Sequence, residues 1–113
     1  VNCKGFMDIH ATPESIKEWS VRQGTSLPMT TSFTDGTKMN IEQANVANAF
    51  DLHPELRGMH GVTSSLATAT EDMVAALDGH RTVDYTIGGD FAGGVFVLAY
   101  SDNHDLRDVR GRL

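Results

Sequence analysis

Hydrophobic and polar positions along the chain divide into stretches of two periods. Residues 3–10, CKGFMDIH, alternate loosely around Phe6, Met7 and Ile9, which predicts a short strand. Asp8 and His10, two apart, would share one face of that strand. Thr12, Pro13 and Glu14 then supply an N-cap, a favoured first helical residue and an acid for the positive end of the dipole. A helix is expected through Ile16, Trp19 and Val21, closed by Gly24. Residues 25–31, TSLPMTT, read as a polar connection around Pro28. A second helix is expected from Thr34 or Asp35 to about Phe50, with Met39, Val46 and Phe50 as its core stripe.

Residues 51–61, DLHPELRGMHG, read as a loop, and a turn of helix after Pro54 would fit it. Thr68 and Glu71 match a capping box. The helix that follows would present Met73, Val74, Ala76 and Leu77 to the core and close at Gly79. In RTVDYTIGG, Val83, Tyr85 and Ile87 alternate onto one side of a strand. GGDFAGG is a turn or wide loop, and GVFVLAY, residues 94–100, is an apolar run suited to a strand buried on both faces. These two strands are expected to pair antiparallel. The sum is an α/β (or α+β) domain over residues 1–113, a small mixed or antiparallel sheet with helices packed on it.

Composition narrows the function classes. With 113 residues, 40% hydrophobic and 21% charged, the chain reads as one soluble globular domain with a modest core. A net charge of -6 argues against a nucleic-acid partner, since phosphate binding needs clustered cations. Arg107, Arg110 and Arg112, with Asp102, Asp105 and Asp108, read as solvated terminal charge. No apolar run approaches the roughly 18 residues of a membrane span, and the first residues lack the shape of a signal peptide. The lone Cys3 excludes an internal disulfide and suggests a buried structural thiol and a cytoplasmic setting. The chain has no initiator Met and starts in a predicted strand, so it is expected to be one domain excised from a longer protein.

The expected second helix carries few charges and several amides. Lys38, Glu42, Asn45 and Ala49 fall on one stripe of it, about 90° from the apolar stripe. A lysine preceding its glutamate is the weaker order for an i,i+4 pair, and a cation near a helix N-terminus opposes the dipole. Local helix energetics therefore do not account for Lys38, which makes it a candidate for holding an anion or moving a proton; a solvated Lys38–Glu42 pair is the alternative. Asp35-Gly36-Thr37 just before it offers a cap, close backbone approach and N–H groups suited to an anion.

His10, leaving the first strand, and His60, between two glycines, are further candidates to line a site. The five histidines show no metal-ligand spacing, so no metal site is predicted. GGDFAGG fails the G-x-G-x-x-G fingerprint, so no cofactor-binding motif is visible in this chain.

MDIHATPESI and TSFTDGTKMNIEQANVANAF together resemble the central domain of the homoserine-dehydrogenase-like oxidoreductases, larger proteins with an N-terminal Rossmann domain and a C-terminal SAF domain. That group includes deoxyxylulose-phosphate reductoisomerase-like enzymes. The resemblance rests on His10, Thr12, Pro13, Ser32, Phe33, Asp35, Gly36, Thr37, Lys38, Glu42, Ala47 and Asn48, and GGVFVLAYSDN looks like the family's returning strand. It covers most of residues 4–103, with Asp-Gly-Thr-Lys its more specific part.

The resemblance implies the substrate-binding and catalytic part of an NAD(P)-dependent oxidoreductase, with NADP or NAD bound mainly by a domain absent from this chain. It implies Lys38, oriented by Asp35 and Glu42, as the group that polarises a carbonyl oxygen in a small anionic substrate. Ser32, Gly36, Thr37, Asn45, His10 and His60 would bind that substrate. A small-molecule partner and a homo-oligomer are expected. The rival readings are an anion-binding module, or a dimerisation module, without chemistry of its own.

Overall fold

The structure, a computed structural model, describes residues 1–99. Its order is β1 (Asn2–Lys4), α1 (Lys17–Gln23), α2 (Leu27–Thr34), α3 (Thr37–Phe50), β2 (Val62–Thr63), α4 (Ala69–Ala76), β3 (Tyr85–Ile87) and β4 (Gly94–Val95). The strands form one four-stranded sheet in the order β2-β3-β1-β4. β3 runs parallel to both β1 and β2, and β4 lies antiparallel on β1. The sheet is thus mixed, and the expected α/β layer architecture holds.

Several expected elements differ. The first strand ends at Lys4, and residues 5–11 leave the sheet to meet α2, where the Asp8 N–H donates to the Thr34 carbonyl at 2.8 Å. Asp8 and His10 therefore share no strand face. Thr12 and Ser15 bond to each other in a local turn, so α1 begins only at Lys17. Gly24 closes it in the left-handed conformation, as expected. Ile16 is buried but Trp19 is exposed.

The segment read as a polar connection is α2. Ser26 caps it by accepting the Met29 N–H, and Pro28 sits in its first turn, where no intrahelical donor is needed. Thr30, Thr31, Ser32 and Thr34 each return their hydroxyl to a carbonyl three or four residues back. A hydroxyl-rich segment becomes a packed helix this way, because its polar groups are satisfied along its own backbone.

On α3 the buried stripe is Met39, Gln43 and Ala47; Val46 and Phe50 point out. On α4 Met73 is fully buried but Val74 is exposed, and Thr68 donates to Asp72 at 2.9 Å in place of a capping box. The 51–61 loop forms without a helical turn, joined to the later chain by a His53–Thr82 bridge.

β3 does not form a hairpin with β4, because β1 lies between them. β4 is a short edge strand, with Val95 and Val97 76% and 88% exposed, so this run is not buried on both faces. Residues 100–113, with the charged tail, lie outside the described residues. Among the described residues no helix is long and apolar enough to cross a membrane.

Candidate active site

A cleft of about 340 Å³ opens between β1, the edge strand β4 and the first turns of α3. Asn2, Cys3 and Lys4 form one wall, Lys38, Met39 and Glu42 the facing wall, with Phe33 and residues 93–95 at its margins. β1 is held on both sides, by β3 and β4, so its side chains enter the cleft from a fixed backbone. Beyond Lys4 the strand is clamped again: the Gly88 N–H donates to the Lys4 carbonyl at 3.0 Å.

Lys38 and Glu42 meet here at 3.2 Å, as their i,i+4 spacing allows. Both side chains are about half exposed, so Lys38 is not a buried lysine. Its ammonium also stands 4.4 Å from the centre of the Phe33 ring. The second carboxylate oxygen of Glu42 accepts the Asn2 side-chain amide at 3.0 Å, and Asn2 is itself buried. Lys4 enters half-buried; burial lowers its ammonium pKa most, the positive charge of Lys38 lowers it further, and Glu42 and Asp35 oppose both. Burial pushes the Cys3 thiol up, away from the thiolate form.

The structure gathers only part of the residues that the sequence suggested. Lys38 and Glu42 line the cleft. Asp35 lies close enough to act on Lys4, and the hydroxyl and N–H of Thr37 hold its carboxyl below the usual range. The Thr37 N–H, expected to receive an external anion, is taken by Asp35 at 2.9 Å. Gly36 adopts a left-handed φ of 94°, and a side chain there would press on Met7, so its glycine serves the α2–α3 corner. Ser32 spends its hydroxyl on Met29. Asn45 and His10 are exposed and line no part of the cleft.

His60 stands at a different centre. Asp84, at the start of β3, has no solvent exposure. Its carboxylate accepts N–H groups from His60, Gly61 and Tyr85 at 2.8–3.1 Å and the His60 ring Nδ1 at 2.7 Å. An ionised carboxylate only accepts, so Nδ1 carries the proton. The loop that wraps this carboxylate has positive φ at Gly58, Met59 and Gly61. Glu55 lies 3.9 Å from the other ring nitrogen and accepts the Asp78 and Gly79 N–H groups. His60 and Asp84 act here as a clasp that fixes the loop to the sheet.

A second cavity, of about 280 Å³, lies beside α3 and includes Asn40, Gln43, Asn48 and Met59. It accounts for three of the four amides on α3: Asn40 and Asn48 line that cavity, and Gln43 donates to the Asp84 carbonyl. Among the described residues no group of His, Cys, Asp and Glu is arranged to hold a metal ion.

Sequence reasoning passed over Lys4, Asn2 and Asp84. The signal available was a charge inside a strand-like run for Lys4 and Asp84, and an amide just before one for Asn2. The profile of the family described as Oxidoreductase DRL, catalytic domain, matches residues 3–111. Neither a comparison with curated proteins nor one with solved structures found a match.

Proposed function

The chain belongs to the family of oxidoreductase DRL catalytic domains, and from that premise we propose that the β1–α3 cleft is its substrate site. The substrate would be a small carbonyl or hydroxy compound carrying an anionic group, and the electron carrier NADP or NAD. The observation that carries this reading is the convergence of two ammonium groups, Lys4 and Lys38, against one carboxylate, Glu42, in a cleft of substrate size. Among the lining residues cations outnumber carboxylates, which favours an anion, and an ammonium beside a carbonyl oxygen stabilises the charge that reduction places there.

The described residues contain no strand, glycine turn and helix of the dinucleotide-binding kind, so none of them is assigned to the cofactor's phosphates. In this reading another domain holds the cofactor, which supplies a hydride when bound. The residues of this chain bind the anionic group, orient the carbonyl and supply the proton. Lys38 is the centre of the anion contact. Glu42 and Asn2 hold it in place, and the negative charge of Asp35 favours the protonated form of Lys4.

The test follows NADPH and NADH oxidation by the full-length protein against pyruvate, oxaloacetate, dihydroxyacetone phosphate and other carboxylated or phosphorylated carbonyl compounds. Turnover of at least one is expected. Lys38→Ala should then lower kcat/KM by about 100-fold or more with the fold intact. Full activity in Lys38→Ala, or no turnover by the wild type across the panel, would overturn the assignment.

A further inference from the structure

We propose that the two lysines of the cleft divide the work: Lys4 donates the proton to the substrate's carbonyl oxygen, and Lys38 binds the substrate's anionic group. The inference rests on the reading of the cleft as the substrate site.

The two ammonium groups differ in what already engages them. Lys38 is in contact with Glu42 at 3.2 Å and stands over Phe33 at 4.4 Å. An ammonium already engaged by a carboxylate and a ring face is held in place, which suits binding rather than donation. It is also the outer of the two, with 51% of its side chain exposed, where a charged tail of a substrate would meet it first. Lys4 has no carboxylate within ion-pair distance and no side-chain hydrogen bond among the described residues. It is half-buried at the end of a strand paired on both sides. A half-buried ammonium with no hydrogen-bond or ion-pair partner among the described residues, lining a cleft from a paired strand, has its donor capacity unspent there. Burial and the Lys38 charge ease loss of its proton, and outweigh the opposing charges of Glu42 and Asp35.

The step balances with reduced nicotinamide as the reductant. As hydride reaches the carbonyl carbon, the π electron pair of the C=O bond moves onto oxygen. That oxygen takes one proton from the Lys4 ammonium and becomes a hydroxyl. Lys4 is left as a neutral amine and regains a proton from solvent. The carbonyl is reduced and the nicotinamide oxidised.

Two substitutions and one titration test this in the full-length protein, with the compound of the panel that is turned over fastest. Lys4→Arg keeps a positive charge in the cleft, but a guanidinium does not release a proton near neutral pH. It should lower kcat by about 100-fold while KM stays within about threefold. Lys38→Met should instead raise KM by about tenfold or more, and it should move the alkaline limb of kcat/KM to higher pH, because Lys4 loses the neighbouring charge that eases its deprotonation. Glu42→Gln should move that limb the other way. A structural role for Lys4 would not respond to its neighbours in this manner.

The same shifts are expected in the ¹³C resonance of reductively methylated Lys4, titrated without cofactor or substrate. The signal is assigned by its absence in Lys4→Arg. Wild-type turnover with kcat retained in Lys4→Arg would overturn the division of roles while leaving the cleft as substrate site. So would an alkaline limb unmoved in Lys38→Met, a variant that leaves Lys4 itself untouched. An absence of turnover by the wild type would overturn the site assignment and this inference together.

Discussion

The ring Nδ1 of His60 lies 2.7 Å from Oδ2 of Asp84, a side chain wholly shielded from solvent. Four donor groups converge on that one carboxylate, from the backbone of His60, Gly61 and Tyr85 and from the His60 ring. The start of β3, an inner strand, and the 57–61 loop are tied through it. The carbonyl of the same residue accepts Asn2 of β1 and Gln43 of α3. Asp84 thus connects the clasp on one side of the sheet with the elements that build the cleft.

Asp84→Asn tests how much the fold depends on that carboxylate. The replacement keeps the size but sets an NH₂ group against backbone donors and removes the charge paired with His60. A loss of about 3 kcal/mol in unfolding free energy is expected, the scale for breaking a buried charged contact. Urea unfolding followed by circular dichroism measures it. A loss below about 1 kcal/mol would show that the loop holds without the carboxylate.

Acid should act through the same group. Burial pushes the Asp84 carboxyl up, but the N–H groups of Gly61 and His60, the His60 ring and the Tyr85 N–H outweigh it and hold the carboxyl below its ordinary range. On acidification the unfolded chain takes up this proton first. The contribution of Asp84 is therefore complete above about pH 4 and is lost as pH falls through the lower folded-state value. The urea midpoint of the wild type should drop below about pH 4 more steeply than that of Asp84→Asn. Asp35 and Asp72, whose carboxyls are also held low, give both proteins the same background slope. Parallel curves would remove Asp84 from the acid response.

The sequence carried the layer architecture, the α3 helix to Phe50, the left-handed Gly24 and the pairing of Lys38 with Glu42, because each depends on local spacing or a local cap. It misled where polar residues do the work of the core. Among the described residues Asn2, Ser20, Thr30, Thr34, Gln43, Asp84 and Thr86 are buried beside eight apolar residues, so hydrophobic periodicity points to the wrong face of α3 and hides α2. On the strand read from RTVDYTIGG, Asp84 and Thr86 are the fully buried side chains, while Tyr85 and Ile87 are only half-buried. Lys4 was passed over for a non-local reason: β1 meets α3 only in three dimensions, so no spacing along the chain links Lys4 to Lys38.

Two glycines with the same φ of 66° separate backbone cost from packing cost. Gly24 has open space where a side chain would stand, whereas a Cβ on Gly61 would run into the Tyr85 hydroxyl and ring. Gly24→Ala should cost about 1 kcal/mol, the penalty for a left-handed alanine. Gly61→Ala should cost that plus about 1–3 kcal/mol of overpacking, since the Tyr85 ring must move within a half-buried site. Equal losses in urea unfolding would show that the ring yields freely.

Asn2 and Glu42 offer a last test, on the wall of the cleft itself. The Asn2 amide donates to Glu42 Oε2 at 3.0 Å, while Oε1 faces Lys38. Asn2→Asp would replace that donor with a second carboxylate. The two like charges would repel, and one of the pair would titrate above its unfolded value. A group raised in this way favours the fold when protonated, so the variant should recover stability as pH falls from 7 toward about 5, opposite in sign to the response of Asp84. At pH 7 a loss of about 1–2 kcal/mol is expected, with Glu42 displaced from Lys38 and KM for the anionic substrate raised. A variant as stable as wild type at pH 7, with KM unchanged, would show that the Asn2–Glu42 contact does not position Lys38.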